Sequence, residues 1–324
     1  MHPTLEHDGP AVSRLGLGCM SMTGTYGPAD PHEAAATLLE ALDSGVTLFA
    51  TGDFYGDGAN EELLGRTLAP HRDRVVLATK TGVRRTAEGL VPAGSPNDLR
   101  RACEASLRRL RTEHIDVYYL ARIDPAVPVE ESVGAPADLV AQGKVGHIGL
   151  SEVSAATLRR AHAIHPISAV QTEYSLRERH VENGILPTIR SLGATLIAYS
   201  PLGRGLLTGA VRATTRYEPG DFRATAPRYN GDDLKANLAI VDAITHLAAA
   251  KSAPRPDRPR LAPHPRRRRH PHPRQLPPPP PARQPGRLDL HLTATDLGDI
   301  DAAVPDTGAQ GARYSDHGIA LVDQ

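Results

Sequence analysis

Seven short β-rich runs alternate with segments of helical period along the first 250 residues, and this alternation confines the chain to a parallel sheet covered by helices. The predicted strands are SRLGLGC (13–19), VTLFA (46–50), RVVLATK (74–80), IDVYYLA (115–121), VGHIGLS (145–151), SAVQTEYS (168–175) and ATLIAYS (194–200). Between them apolar residues recur at spacings of three and four. One predicted helix carries Leu99, Cys103, Leu107 and Leu110 along one face, with Ser95 as its cap and Pro96 as its first residue. Another starts near Ser154 and runs through TLRRAHAI. Seven strands with a helix in every connection predict an α/β fold of the (β/α)8 TIM barrel kind rather than an open sheet, because an eighth strand would close the ring.

The eighth unit is disturbed. After a helix predicted to end near Lys251, residues 254–287 hold thirteen prolines in 34 positions. Proline lacks a backbone donor and is excluded from helix interiors and central strands. Ordinary sequence resumes at LDLHLTATDLGDIDAAVP, where Thr293 or Thr295 would cap a closing helix. The formal net charge of zero hides an asymmetry, since 254–287 carry ten arginines and one aspartate. The expected reading is a solvated, irregular or disordered charge run. A nucleic-acid or acidic-partner tail, or a polyproline ligand at Pro277–Pro281, ranks below it, because a tail rarely replaces a barrel's last strand. A cleaner explanation of this composition is a reading-frame slip in GC-rich DNA. Translating codons 252–287 in the other two forward frames should then give a strand and a helix.

The remaining totals bound the class. With 324 residues, 40% of them hydrophobic, the chain can form one barrel domain over 1–324 with 254–287 as an irregular segment. No apolar run approaches ~18 residues, so no membrane span is expected. The opening MHPTLEHDGP lacks the basic-then-apolar pattern of a secretion signal. Cys19 and Cys103 read as free thiols of a cytoplasmic protein.

In β/α barrels the chemistry sits at the carboxyl ends of the strands. Those ends read GLGCMS, ATGDFYG, ATKTG, YYLARID, GLSE, VQTEYS and AYSPLGRG, with NEELLGR after the second. In order and spacing they resemble the aldo-keto reductases, especially the bacterial branch, over roughly 12–250 and again at 288–306. The resemblance implies reduction of a small aldehyde or ketone by hydride from NADP(H), with a tyrosine delivering the proton. Tyr55, in DFYG, matches that tyrosine, and Lys80, ending ATK, matches the lysine whose charge favours the phenolate.

Two further positions depart from the pattern. The aspartate that anchors the lysine is replaced by Ala50, and the histidine that orients the carbonyl, within YLHR, is replaced by Ala121. Asp53 is expected in the loop beyond the strand and not as a substitute. His114 and His147 are expected to be structural or exposed. Without a carboxylate at position 50, desolvation should lower the Lys80 pKa and weaken its field on Tyr55.

The resemblance also divides the cofactor site. Ser151 and Gln171 match the carboxamide ligands, and Tyr199 matches the ring that stacks on nicotinamide. Glu152 stands where many members have asparagine. Ser200, Leu202 and Gly203 match the loop that follows the pyrophosphate. The adenosine half would come from the eighth strand and its helix, where relatives carry a P-I-P-G-T stretch and several arginines. Arg266–Arg269 are flanked by Pro265 and Pro271 and are not expected to form that clamp. NADP(H) binding is therefore expected to be weakened or lost. An impaired carbonyl reductase is the first reading. A redox-inactive barrel, turned to non-redox acid/base chemistry or kept as a binding or regulatory protein, is the alternative.

Overall fold

The computed structural model describes residue 5 and residues 9–87, 89–250, 292–304 and 308–323. Seven strands form one parallel sheet in sequence order: β1 (Leu17–Gly18), β2 (Leu48–Ala50), β3 (Val76–Thr81), β6 (Ile115–Leu120), β7 (Val145–Ser151), β8 (Ile167–Glu173) and β9 (Thr195–Tyr199). Each matches one predicted run. The first is much shorter than expected. At its start Ser13 and Thr47 bond each other's backbone through their side chains, with Ser13 N donating to Thr47 Oγ1 (2.8 Å) and Thr47 N donating to Ser13 Oγ (2.9 Å). Those bonds stand where ladder bonds would otherwise run. An antiparallel hairpin, β4 (Val83–Thr86) and β5 (Gly89–Pro92), follows β3 and was not legible as strands.

Helices α1 (Pro31–Asp43), α2 (Ala59–Leu68), α3 (Pro96–Leu110), α4 (Val129–Ala141) and α5 (Ala155–Ile164) fill the successive connections. The short α6 (His180–Asn183) and α7 (Leu186–Ser191) link β8 to β9. Their starts follow the expected chemistry. Ser95 Oγ accepts from Asp98 N, with Pro96 in the first turn, and Ser154 Oγ accepts from Thr157 N. After β9 come α8 (Gly231–Ala250), α9 (Ala294–Ala303) and α10 (Asp316–Ile319). Thr293, not Thr295, caps α9, in a reciprocal capping box with Asp296. The disturbed eighth unit, with its proline-arginine block, lies outside the described residues.

Alternation sorts each strand into two faces. Along β3, Val76 and Ala78 join the inner cluster with Leu48, Val117, Tyr119 and Ala169, while Leu77 packs outward with the helix residues Leu38, Leu64 and Leu110. Lys80 continues the inner row. Thr79 and Thr81 continue the outer one. Tyr119 also points inward, and its ring is why position 149 is glycine: a Cβ there would lie 2.3 Å from the ring. Cys19 and Cys103 are both buried free thiols.

Candidate active site

Tyr55 follows β2 in a tight turn, with its N–H donating to Gly52 O at 3.1 Å. One buried residue fixes the loops around it. Asn60, at the start of α2, donates to Cys19 O (2.8 Å) and Thr23 Oγ1 (3.1 Å) and accepts from Thr51 Oγ1 (2.6 Å). It thus ties the loops after β1 and β2 to the first turn of α2. NEELLGR carried it in the sequence without revealing this role.

Lys80 is buried and projects from β3 so that Nζ lies 5.1 Å from the centre of the Tyr55 ring. In parallel register Gly18, Ala50 and Ala78 stand side by side, and the ammonium donates to Thr51 O at 2.7 Å. A backbone carbonyl therefore receives Lys80 where the family pattern has a carboxylate. Burial pushes the Lys80 ammonium down to about 8, with Arg122 acting the same way and Cys19 and Glu61 opposing. Burial likewise pushes the Tyr55 phenol up to about 12, against the pull of Arg122 and Arg204. Both groups move in the direction that separates them from easy proton delivery at neutral pH. Ala121 is buried just beyond β6 and donates its N–H to Thr81 O at 2.7 Å.

The neighbouring carboxylates face away. Asp53 accepts from Thr81 Oγ1 (2.7 Å), and Glu61 accepts from Thr79 Oγ1 (2.5 Å) and from Arg109 Nε (2.7 Å). Thr79 and Thr81 are the outward residues of β3, so both acids lie in the helix layer and not beside Lys80. His114 Nδ1 is bonded to Gly143 O, and His147 Nδ1 to Ser168 Oγ, both far down the strands from the mouth.

Asp53 makes the buried acid layer sensitive to pH. Burial raises its carboxyl to about 7, with Thr81 opposing and Glu61 adding to the rise. The folded state therefore holds this proton more tightly than the unfolded chain does. Stability from this group is present below the unfolded value near 4 and is lost as pH rises to about 7. The full loss approaches ~4 kcal/mol as an upper bound. Asp53→Asn should raise Tm by about 4 °C or more at pH 8 and by clearly less at pH 5. Equal shifts at both values, followed by circular dichroism, would remove this assignment.

Ser151 ends β7 and is paired in register with Gln171, near the end of β8, and both are buried. Among the described residues neither side chain is hydrogen-bonded to a protein group, so the pair suits the amide of a nicotinamide. Tyr199 ends β9, and its hydroxyl donates to Glu152 Oε1 (2.8 Å) while also meeting the Tyr314 hydroxyl. Glu152, at φ 55°, accepts from Thr172 Oγ1 and Glu173 N as well, and pairs with Arg313 at 2.8 Å. Burial raises its carboxyl, but Arg313 and Arg122, with the Tyr199 bond, outweigh that and hold it below the usual range. Ser200 leaves the strand at φ 51°, and its carbonyl accepts from Gly203 N at 2.8 Å. Leu202 precedes that turn. Gly203 sits at φ 57° against Arg177, whose Nε would be 2.6 Å from any Cβ there.

The last described segment crosses this mouth, which no sequence signal announced. Ala309 N donates to Arg177 O (2.8 Å), and Gln310 and Asn237 exchange two bonds. Farther on, His317 Nε2 bonds Leu90 O (2.8 Å), and Asp323 accepts from Ser154 N (2.9 Å). Between these anchors Arg313 and Tyr314 reach the Glu152–Tyr199 pair. Among the described residues no cluster of His, Cys, Asp or Glu is arranged for a metal, and no helix is long and apolar enough to cross a membrane.

Comparison with known proteins agrees with this fold. The model of the aldo/keto reductase family matches residues 14–255. The glycerol dehydrogenase AKR11B4 from Gluconobacter oxydans is 30% identical, with a TM-score of 0.69 over 77% of this chain and 78% of that one. The aldo-keto reductase AKR11C1 from Bacillus halodurans, in its holo form, has the same fold at 23% identity, with a TM-score of 0.64 over 98% of each chain. A parallel β/α barrel with these motifs at its strand ends belongs to the aldo-keto reductase family.

Proposed function

We propose that this chain is an NADP(H)-dependent reductase of small aldehydes or ketones whose chemical step is slow. The observation that carries the reading is the Lys80 ammonium held 5.1 Å over the Tyr55 ring at the mouth of the barrel. The likeness to a glycerol dehydrogenase supports a carbonyl–alcohol couple. When bound, the nicotinamide would supply the hydride. Ser151 and Gln171 would hold its carboxamide, and Ser200, Leu202 and Gly203 would follow its pyrophosphate. Tyr55 would hold the proton at its hydroxyl, and Lys80 would favour the charge left behind. No imidazole at position 121 stabilises the carbonyl oxygen, and no carboxylate at position 50 sustains Lys80. Each loss costs on the order of 10²–10⁴ in rate, and the two do not add because the groups act as a unit.

A second reading is favoured by the Tyr199 hydroxyl being engaged by both Glu152 and Tyr314. In that reading the barrel binds or regulates without turnover. One experiment separates the two. A reductase shifts or quenches NADPH fluorescence on mixing and then consumes the NADPH with a test aldehyde. A binding protein gives at most the first response.

A further inference from the structure

The mouth of the barrel carries more positive charge than its described residues neutralise. Lys80, Arg122, Arg204 and Arg313 converge there, and the guanidinium carbons of the three arginines lie 5.7, 5.9 and 5.6 Å from the centre of one ring, Tyr314. Among the described residues Glu152 faces them, and Arg313 occupies it at 2.8 Å. Glu173 lies 3.9 Å from Arg177 and 4.0 Å from Arg228. Asp53 and Glu61 face the helix layer. Arg204 has the Tyr26 hydroxyl at 2.9 Å. Arg122 donates Nη1 to Ala121 O at 2.6 Å, and its Nε is buried without a hydrogen-bond partner. Phenols and carbonyls orient a guanidinium but cancel none of its charge. Arg122 shares Glu152 with Arg313 and has no carboxylate of its own among the described residues. A partly buried cation left incompletely compensated is costly, and a bound anion relieves that cost.

Arg122 is the member of this group with an unpartnered donor and no carboxylate in direct contact among the described residues. Arg313 already has its carboxylate, and Arg204 stacks on Tyr199, Phe222 and Tyr314. Arg122 lies just beyond β6, directly after Ala121. Its planar fork suits a carboxylate, which can take two parallel bonds. Its charge also reaches both Tyr55 and Lys80. The bound carboxylate would therefore lie close to a carbonyl presented to Tyr55.

We propose that the barrel mouth binds a small carbonyl compound bearing a carboxylate next to the carbonyl, a 2-oxo acid in chemical class, with Arg122 as the residue that recognises the carboxylate. The carbonyl half of this assignment rests on the reductase reading, but the carboxylate half does not require turnover. Titration calorimetry of the full chain at low salt, with and without NADPH, compares pyruvate with its neutral counterpart 2,3-butanedione. Pyruvate should bind at least ~10-fold more tightly, as one charge-assisted bidentate contact supplies. Arg122→Gln should abolish that preference, and Arg122→Lys should retain part of it. Arg100→Gln, which removes only an exposed pair with Asp138, should leave it intact. Circular dichroism verifies the fold of each variant, and the lysine variant keeps the test open if the glutamine variant fails to fold. Equal binding of the two compounds in both conditions, no binding of either, or a preference that survives in Arg122→Gln would overturn the proposal. Loss of NADPH consumption with an intact pyruvate preference would sink the reductase reading alone.

Discussion

Restoring Ala50→Asp and Ala121→His together is expected to raise carbonyl reduction at least ~10²-fold, through the proton-delivery and electrostatic terms they reinstate. Ala50 stands in register with Ala78, two residues before Lys80 on β3, and the Lys80 ammonium is bonded to the carbonyl of the next residue, Thr51. A carboxylate at 50 would meet a cation that burial has pushed down to about 8. An opposite charge within ~4–6 Å raises such a lysine by roughly 1–3 pH units. Activity in the parent chain should therefore fall as pH rises through about 8, while Ala50→Asp alone should carry that limb to higher pH. The histidine would add a donor that strengthens as the carbonyl oxygen gains charge. No gain in a folded double variant that binds cofactor would sink the roles assigned to Tyr55 and Lys80. A high starting rate abolished by Tyr55→Phe would mean that the site works without those partners.

The second large effect concerns cofactor choice. NADPH is expected to bind at least ~10²-fold more weakly than to an intact relative, with little preference over NADH. Contacts from Ser151, Gln171 and Tyr199 would be neutral and contribute ~1 kcal/mol each. The phosphate end ordinarily adds charge-assisted bonds about twice as strong. The sequence from 254 to 287 carries neither a P-I-P-G-T stretch nor an arginine-bearing helical pattern. Calorimetric titration with both dinucleotides decides the matter. Tight binding with a strong NADPH preference would assign the 2′-phosphate to the arginines at 266–269 or to Arg204.

The legible part of the site was its strand-end chemistry. Tyr55, Lys80, Ser151, Gln171 and Tyr199 could be placed at one end of the barrel because parallel strands share a direction and side chains alternate with a period of two. The same reasoning put Asp53 outside the pocket, and its bond to Thr81 on the outer row of β3 agrees. Glu152 was recognised as a departure from asparagine, but its four partners were not foreseen. Three of them, Thr172, Glu173 and Tyr199, come from the next two strands, and the fourth, Arg313, lies 161 positions along the chain.

By itself the sequence determined the order of the parallel strands and of the helices between them, the family, and the presence of Tyr55 and Lys80 with alanines at 50 and 121. These are local or periodic properties, readable from spacing and residue type. Tertiary structure alone decided what surrounds the tyrosine and the lysine. Asn60 ties two loops together through hydrogen bonds that span up to 41 positions. Tyr314 reaches Tyr199 across 115 positions, from a segment whose path is set by Arg177, Asn237, Leu90 and Ser154. Long guanidinium side chains such as Arg122, Arg204 and Arg313 carry their charge several ångströms from the backbone that encodes them. Where that charge arrives depends on the packing of distant segments, which no local pattern records.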